Sequence, residues 1–237
     1  MNSNFKNFYK PQGPSNQYSY FISKNPSTSI NPNDIEPSIH SSAFIGPFSC
    51  VIGDVTIDEH VFIACNAVIR ADEGSPFYIG KHSNIQDGVI LHALEHKYIN
   101  VNSKNYAIYI SDNVSCAHSS VIHGPCLIED NVFIGVNAII FNGIIKSNTF
   151  IGNGAIISDG VIIESGRFVP SGAVIDTQEK ANALPLIPKN NEELAKAVLK
   201  VNEAFNTSYP LMFGDTRCSC GLSCNASTLI NHYYDLR

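Results

Sequence analysis

A chain of 237 residues, 44% hydrophobic and 15% charged, is long enough to bury one sizeable core or two small ones and too apolar to be disordered throughout. Its formal net charge of -6 argues against nucleic acid as a main partner, because binding phosphate needs a basic surface. No run of about 18 apolar residues occurs, so no membrane partner is expected.

In chain order, residues 1–32 are rich in Asn, Ser, Pro and Tyr and read as a poorly structured N-terminal extension. No basic region followed by an apolar one occurs there, so no signal peptide is expected and the expected location is cytoplasmic. From residue 33 to 180 a single period dominates. Aliphatic residues fall every six positions at Ile45, Val51, Ile57, Ile63 and Ile69, then at Ile79, Ile85 and Leu91. The series returns at Ile110, Cys116, Ile122, Ile128, Ile134 and Ile140. After a slip of one it runs on at Ile145, Ile151, Ile157, Ile163, Val169 and Ile175.

A period of six fits neither a helix nor an alternating sandwich strand. It fits a prism of three flat faces, in which each six-residue unit makes one short strand and one corner. Three units close a coil of 18 residues, and coils stack at about 4.8 Å with the aliphatics inside. Two segments, 71–78 and 93–109, leave the repeat, and such excursions concentrate on binding faces. Residues 181–209 read as a linker followed by a C-terminal helix packed along the outside of the prism. Asn190 and Glu193 make a capping-box-like start, and Leu194, Val198, Val201 and Phe205 mark one face. Residues 210–237 form a Cys-containing tail without a period. Cys218, Cys220 and Cys224 are too compact and one ligand short for a structural zinc site, and read as reduced thiols with redox disulfides as the alternative. Cys50, Cys65, Cys116 and Cys126 read as small buried residues.

Of the eight histidines, His40, His60, His82, His96 and His232 show no convincing arrangement. His92 and His123 each follow an inward aliphatic and so hold the same place in a repeat unit. They are 31 residues apart, one coil plus an excursion, and can project from one face at a spacing suited to a shared metal. His118 belongs to the preceding unit, on a different face. A neighbouring subunit could supply it, which points to a trimer with metal sites at its interfaces.

The surrounding motifs are specific. The runs Arg70-Ala71-Asp72-Glu73-Gly74, Asn84-Ile85-Gln86-Asp87-Gly88 leading into Leu91-His92-Ala93-Leu94-Glu95, and the segment 113–125 with its His118-x4-His123 pair resemble the γ-class carbonic anhydrases. Gly166-Arg167-Phe168-Val169-Pro170-Ser171-Gly172 is similar to their closing coil, and the likeness extends over residues 33–209. It implies an all-β fold, a left-handed parallel β-helix of hexapeptide repeats with a C-terminal α-helix alongside. It also implies a homotrimer in which His92, His118 and His123 hold Zn2+, or Fe2+ or Co2+, with His118 given across the interface. Three neutral imidazoles and an open position suit a metal that lowers the pKa of bound water to about 7, and the hydroxide attacks CO2 to give bicarbonate.

By the same resemblance Glu73 sits beside the metal and orients water or takes its proton, and Glu95 is the proton shuttle to buffer. Gln86 hydrogen-bonds the metal-bound water and with nearby Asn84 binds substrate, and Asn202 approaches the site from the helix. Arg70 and Asp72 pair between subunits. The loop 96–105 departs from the archaeal pattern, being short and slightly basic rather than long and acidic. Two other functions fit the same fold: a catalytically silent trimeric scaffold, and a hexapeptide acyltransferase, which typically relies on one histidine.

Overall fold

The structure, a computed structural model, describes residues 21–213. Short strands pair in parallel from coil to coil, in one sheet of thirteen strands, one of seven, and a separate two-stranded hairpin. This is the expected parallel β-helix with a helix alongside. All twenty aliphatic or cysteine positions of the six-residue series are 5% exposed or less, and they form one continuous core along the prism axis. Column by column the register explains it: Ile45, Ile63, Ile85, Cys116, Ile134, Ile151 and Val169 lie opposite one another through successive coils.

The corners account for the rest of the period. His60, His82, Asn113, Asn131 and Asn148 stack as one corner column and turn in the left-handed region, with φ between 57° and 58°. Asn tolerates this conformation better than most residues, and the column is rich in it. At Gly152, immediately after an inward aliphatic, an added Cβ would fall 2.4 Å from the backbone nitrogen of Ser171 in the next coil, so only glycine fits.

A short helix α1 (Gln178–Asn182) caps the C-terminal end of the core, burying Ala181 and, just after it, Leu184. Thr177 Oγ1 accepts from the amide of Lys180 to begin it. Residues 178–182 thus form a helix where the repeat and linker were expected to meet. The long helix α2 (Lys189–Phe213) follows Pro188, whose carbonyl accepts from the amides of Asn191 and Glu192. It therefore starts before Asn190, so the expected Asn190–Glu193 capping pair lies inside the first turn rather than at the cap.

The face of α2 turned to the prism matches the expectation only in part. Of the expected face, Val198 packs inward and Val201 and Phe205 line the groove against the prism, with the Phe205 ring 5.9 Å from that of Phe62, while Leu194 is 49% exposed; Ala195, Asn202, Asn206 and Tyr209 also pack inward. Asn206 Nδ2 donates to the Ser42 carbonyl at 3.1 Å. Apolar periodicity picked out Leu194, Val198, Val201 and Phe205; it could not show that polar Asn202 and Asn206 are buried beside them.

The N-terminal expectation needs correcting too. Phe21–Ser23, inside the segment read as unstructured, pairs in parallel with Cys50–Gly53 on the open edge of the first coil. Asn25 and Asn31 are buried, and Asn31 Nδ2 donates to the Asp72 carbonyl at 3.2 Å. A free sheet edge recruits a strand through its backbone, which the hexapeptide period cannot report. Residues 1–20 and the Cys218, Cys220 and Cys224 tail lie outside the described residues.

The excursion after Glu95 is a hairpin, Ile99–Val101 against Lys104–Tyr106, turning through Asn102 and Ser103 at φ of 50° and 65°. Tyr106 meets Tyr109 edge-on at 5.0 Å, and Tyr109 stacks on Tyr78 at 4.7 Å. Tyr78 donates to Asp58 Oδ2 at 2.7 Å, which ties the stack to the corner below.

Ile134 is fully buried in the middle of the core. Ile134→Ala is expected to cost about 2–5 kcal/mol, read by urea denaturation at fixed protein concentration. Cys116 and Cys126 are buried, and burial pushes both thiols up to about 12, whereas Cys50 and Cys65 are only half-buried, contrary to the sequence reading. Of these four, Cys116 and Cys126 are expected to stay unmodified by Ellman's reagent in native protein and to react on unfolding, checked by mass spectrometry of labelled peptides.

Candidate metal centre

Two separate groups of side chains emerge on two faces of the prism. The first is built on the strands Ile90–Ala93 and Val121–Ile128, where His92 lies directly opposite His123 in register. Their ring centroids are 5.4 Å apart at 68°. The excursion at 93–109 does not disturb this pairing, because it closes on itself as a hairpin and returns the chain to the same coil at Ile108–Ile110.

One coil earlier, Arg70 lies opposite His92. Arg70 Nη2 donates to His92 Nε2 at 3.1 Å, and Arg70 Nε is 3.5 Å from Asp72 Oδ2. Asp72 Oδ1 and Glu73 Oε1 lie 3.6 and 3.5 Å from His92 Nε2. Burial, and then the charge of Arg70, hold the His92 imidazole below its usual range. The neutral imidazole is thereby favoured, and its Nε2 lone pair, which accepts from Arg70 here, is the one a divalent metal would take in place of that hydrogen bond. Asp72 Oδ1 is buried with no hydrogen-bond partner among the described residues, and such an orphan fits a missing cation nearby. One coil later Phe141 stacks on His123 at 4.7 Å and closes the group on that side.

The second group interrupts an aromatic ladder. On the outer surface under α2 the register column reads Phe44, Phe62, Asn84, Ser115, Phe133, Phe150 and Phe168. The polar gap is internally satisfied: Asn84 Nδ2 donates to Ser115 Oγ at 2.8 Å, and Gln86 Nε2 donates to Asn84 Oδ1 at 3.0 Å. At the adjoining corner His118 Nδ1 lies 2.9 Å from Asp87 Oδ2, while Asp87 Oδ1 accepts from the Cys65 amide. With Nδ1 engaged, His118 has Nε2 left for a ligand, and its side chain is half exposed. Asn202 on α2 donates to the Val198 carbonyl at 2.9 Å. It shares a groove of about 450 Å³ with Gln86, Asp87 and His118.

The predicted residues therefore fall into two sets. Arg70, Asp72, Glu73, His92 and His123 come together on one face, and Glu95 joins them through its amide, which donates to Glu73 Oε2 at 3.2 Å. Asn84, Gln86, His118 and Asn202 come together at another. Among the described residues no three His, Cys, Asp or Glu side chains of one chain converge as metal ligands do. The donor set fits a tetrahedral metal only if the two sets meet across copies of the chain. Asp87 is the residue that sequence reasoning left without a role. The signal was there: Asp87 holds the same repeat place as His118, one coil earlier, so parallel stacking puts its carboxylate under the imidazole.

A family model described as bacterial transferase hexapeptide (six repeats) matches residues 36–71. The chain is 42% identical over 174 residues to a carbonic anhydrase of Methanosarcina thermophila, covering 69% of this chain and 70% of that one. It is 39% identical over 184 residues to the carboxysome assembly protein CcmM of a Nostoc species, covering 77% of this chain but only 33% of that longer protein. Among solved structures, a Bacillus cereus protein provisionally labelled an acetyltransferase superposes with a TM-score of 0.60 at 25% identity, over 74% of this chain and 92% of that one.

Asp87→Asn removes the charge that orients His118 without changing its size. It is expected to weaken metal binding about 10–100-fold while leaving the circular dichroism spectrum unchanged, measured by competition with a chromophoric chelator.

Proposed function

The chain belongs to the γ-class carbonic anhydrase family, and we propose that it is itself a metal-dependent carbonic anhydrase, interconverting CO2 and bicarbonate at sites shared between the subunits of a homotrimer. The observation that carries this reading is the division of the site residues between two faces. His92 and His123 of one subunit and His118 of the next would hold the metal, Zn2+ or alternatively Fe2+ or Co2+, all of which imidazole ligands accept. The face carrying His92 and His123 supports a second copy as its cover. Beside the histidine column runs an outward aliphatic column of Val68, Ile90, Val121, Ile139, Ile156 and Val174, of which Ile90, Ile139 and Val174 are exposed in the single chain.

When bound, the metal supplies a hydroxide nucleophile at neutral pH. The chain's own residues do the rest. Glu73, 3.5 Å from His92 Nε2, holds a proton-accepting carboxylate beside the reacting position. Glu95 carries the proton onward. Gln86, fixed through Asn84 and Ser115, orients substrate oxygens from the other subunit, with Asn202 closing that side. Arg70 and Asp72 set the orientation of His92 and the register of the interface. No described helix is long and apolar enough to cross a membrane.

A second reading, a catalytically silent scaffold, is favoured by the likeness to a carboxysome assembly protein. Turnover decides between them. Stopped-flow CO2 hydration by protein purified without air is expected to vanish with a chelator and return with Zn2+ or Fe2+. A metallated trimer without turnover would establish the scaffold.

Subunit sharing has its own test. His118→Ala and His92→Ala chains, each unable to bind metal alone, are expected to regain metal in about a quarter of the sites when unfolded together and refolded as random mixed trimers. Metal content that stays at the level of the separate variants would sink the shared site.

A further inference from the structure

We propose that His96, read from sequence as an unremarkable loop residue, is the outer station of the proton exit path. The inference deepens the carbonic anhydrase reading and rests on it. Four residues follow one another outward from the metal group, with Glu73 and Glu95 linked through the Glu95 backbone amide rather than carboxylate to carboxylate. His92 Nε2 lies 3.5 Å from Glu73 Oε1, Glu73 Oε2 accepts from the Glu95 amide at 3.2 Å, and Glu95 Oε2 lies 3.9 Å from His96 Nε2. Side-chain exposure rises along the same order, 18%, 32%, 42% and 75%. Exposure thus rises without reversal from His92 to His96, and the proton passes from Glu73 to the Glu95 carboxylate through a bridging water or a side-chain rotation.

Local backbone geometry makes the last contact. Neighbouring side chains diverge in an extended strand. His96 instead turns at a φ of 54°, in the left-handed region that non-glycine residues seldom adopt, and its ring meets the preceding carboxylate. Beyond it, Lys97 and Tyr98 lead into the hairpin that Tyr106 fastens to Tyr109 and Tyr78. The turn is thus held at both ends, by the Glu73 bond to the Glu95 amide and by the tyrosine stack.

The chemistry favours an imidazole at this place. A carboxylate, with an ordinary pKa of about 4, takes a proton from a group of pKa about 7 only uphill, and holds it briefly. Histidine as a residue type changes charge between about pH 5 and 8, so it accepts the proton and releases it to buffer with little driving force lost in either direction. In the step proposed, the O–H bond of the Glu95 carboxylic acid breaks as an N–H bond forms at His96 Nε2. The 3.9 Å gap is closed by a small side-chain rotation or one bridging water. The imidazolium then gives its proton to a buffer base.

The test compares wild type and His96→Gln as metallated protein by stopped-flow CO2 hydration in dilute and concentrated buffer. His96→Gln is expected to lower kcat roughly three- to tenfold in dilute buffer, leave kcat/KM unchanged, and recover on adding imidazole. An unchanged kcat in dilute buffer, or a loss that imidazole does not restore, overturns the relay. A metallated wild type without turnover instead overturns the enzyme reading on which it rests, so the two failures are distinguishable. A second measurement needs no activity: the His96 ring resonances of metal-free protein are expected to shift in Glu95→Gln but not in Glu164→Gln, and resonances unmoved in both overturn the Glu95–His96 contact.

Discussion

Parallel in-register pairing from coil to coil is the constraint on which this molecule depends. Each inward aliphatic sits over its counterpart, so every outward place becomes a column of neighbours spaced one strand apart. Residues far apart in sequence become partners through that column alone. Arg70, His92, His123 and Phe141 form one such column, and Asp87 beneath His118 belongs to another. The excursion at 93–109 adds residues without shifting the register, because it leaves and rejoins the same coil.

The same constraint divides the chemistry. A prism face can align residues in rows, but it cannot turn two faces toward one point. His92 and His123 therefore share a face, and His118 with its Asp87 partner projects elsewhere. In the proposed trimer a three-histidine site would be built from two copies of one sequence, each contributing a prearranged half. The half with His92 carries the acids and Arg70, and the half with His118 carries the amides of Asn84, Gln86 and Asn202. Electrostatic work and substrate orientation thereby come from different subunits in the proposed enzyme.

The helix and hairpin adjust this frame rather than define it. Helix α2 rides over a phenylalanine ladder broken by a polar gap; it buries Asn206, which bonds the Ser42 carbonyl, and Asn202, which bonds its own helix, alongside Ala195, Val198 and Tyr209. Leu194 is half exposed, and Val201 and Phe205 line the groove beside Asn202. The hairpin holds the turn after Glu95 against the tyrosine stack, so a loop that sequence alone describes only as short and slightly basic has a fixed root.

Much of this was legible from residues alone. The six-residue period identified the prism, its interior column and the two excursions, because burial in a solenoid follows sequence spacing directly. Equal repeat places for His92 and His123, and a different one for His118, were legible for the same reason. Three things were not. The strand Phe21–Ser23 pairs through its backbone, which carries no side-chain pattern. The inward face of α2 depends on the surface it meets, not on its own periodicity. The Glu95–His96 contact depends on how a turn aims side chains, at a φ that residue type only suggests. Spacing determined which residues share a column; tertiary structure decided which of them touch, because contact depends on corner geometry and on neighbouring elements that the repeat does not encode.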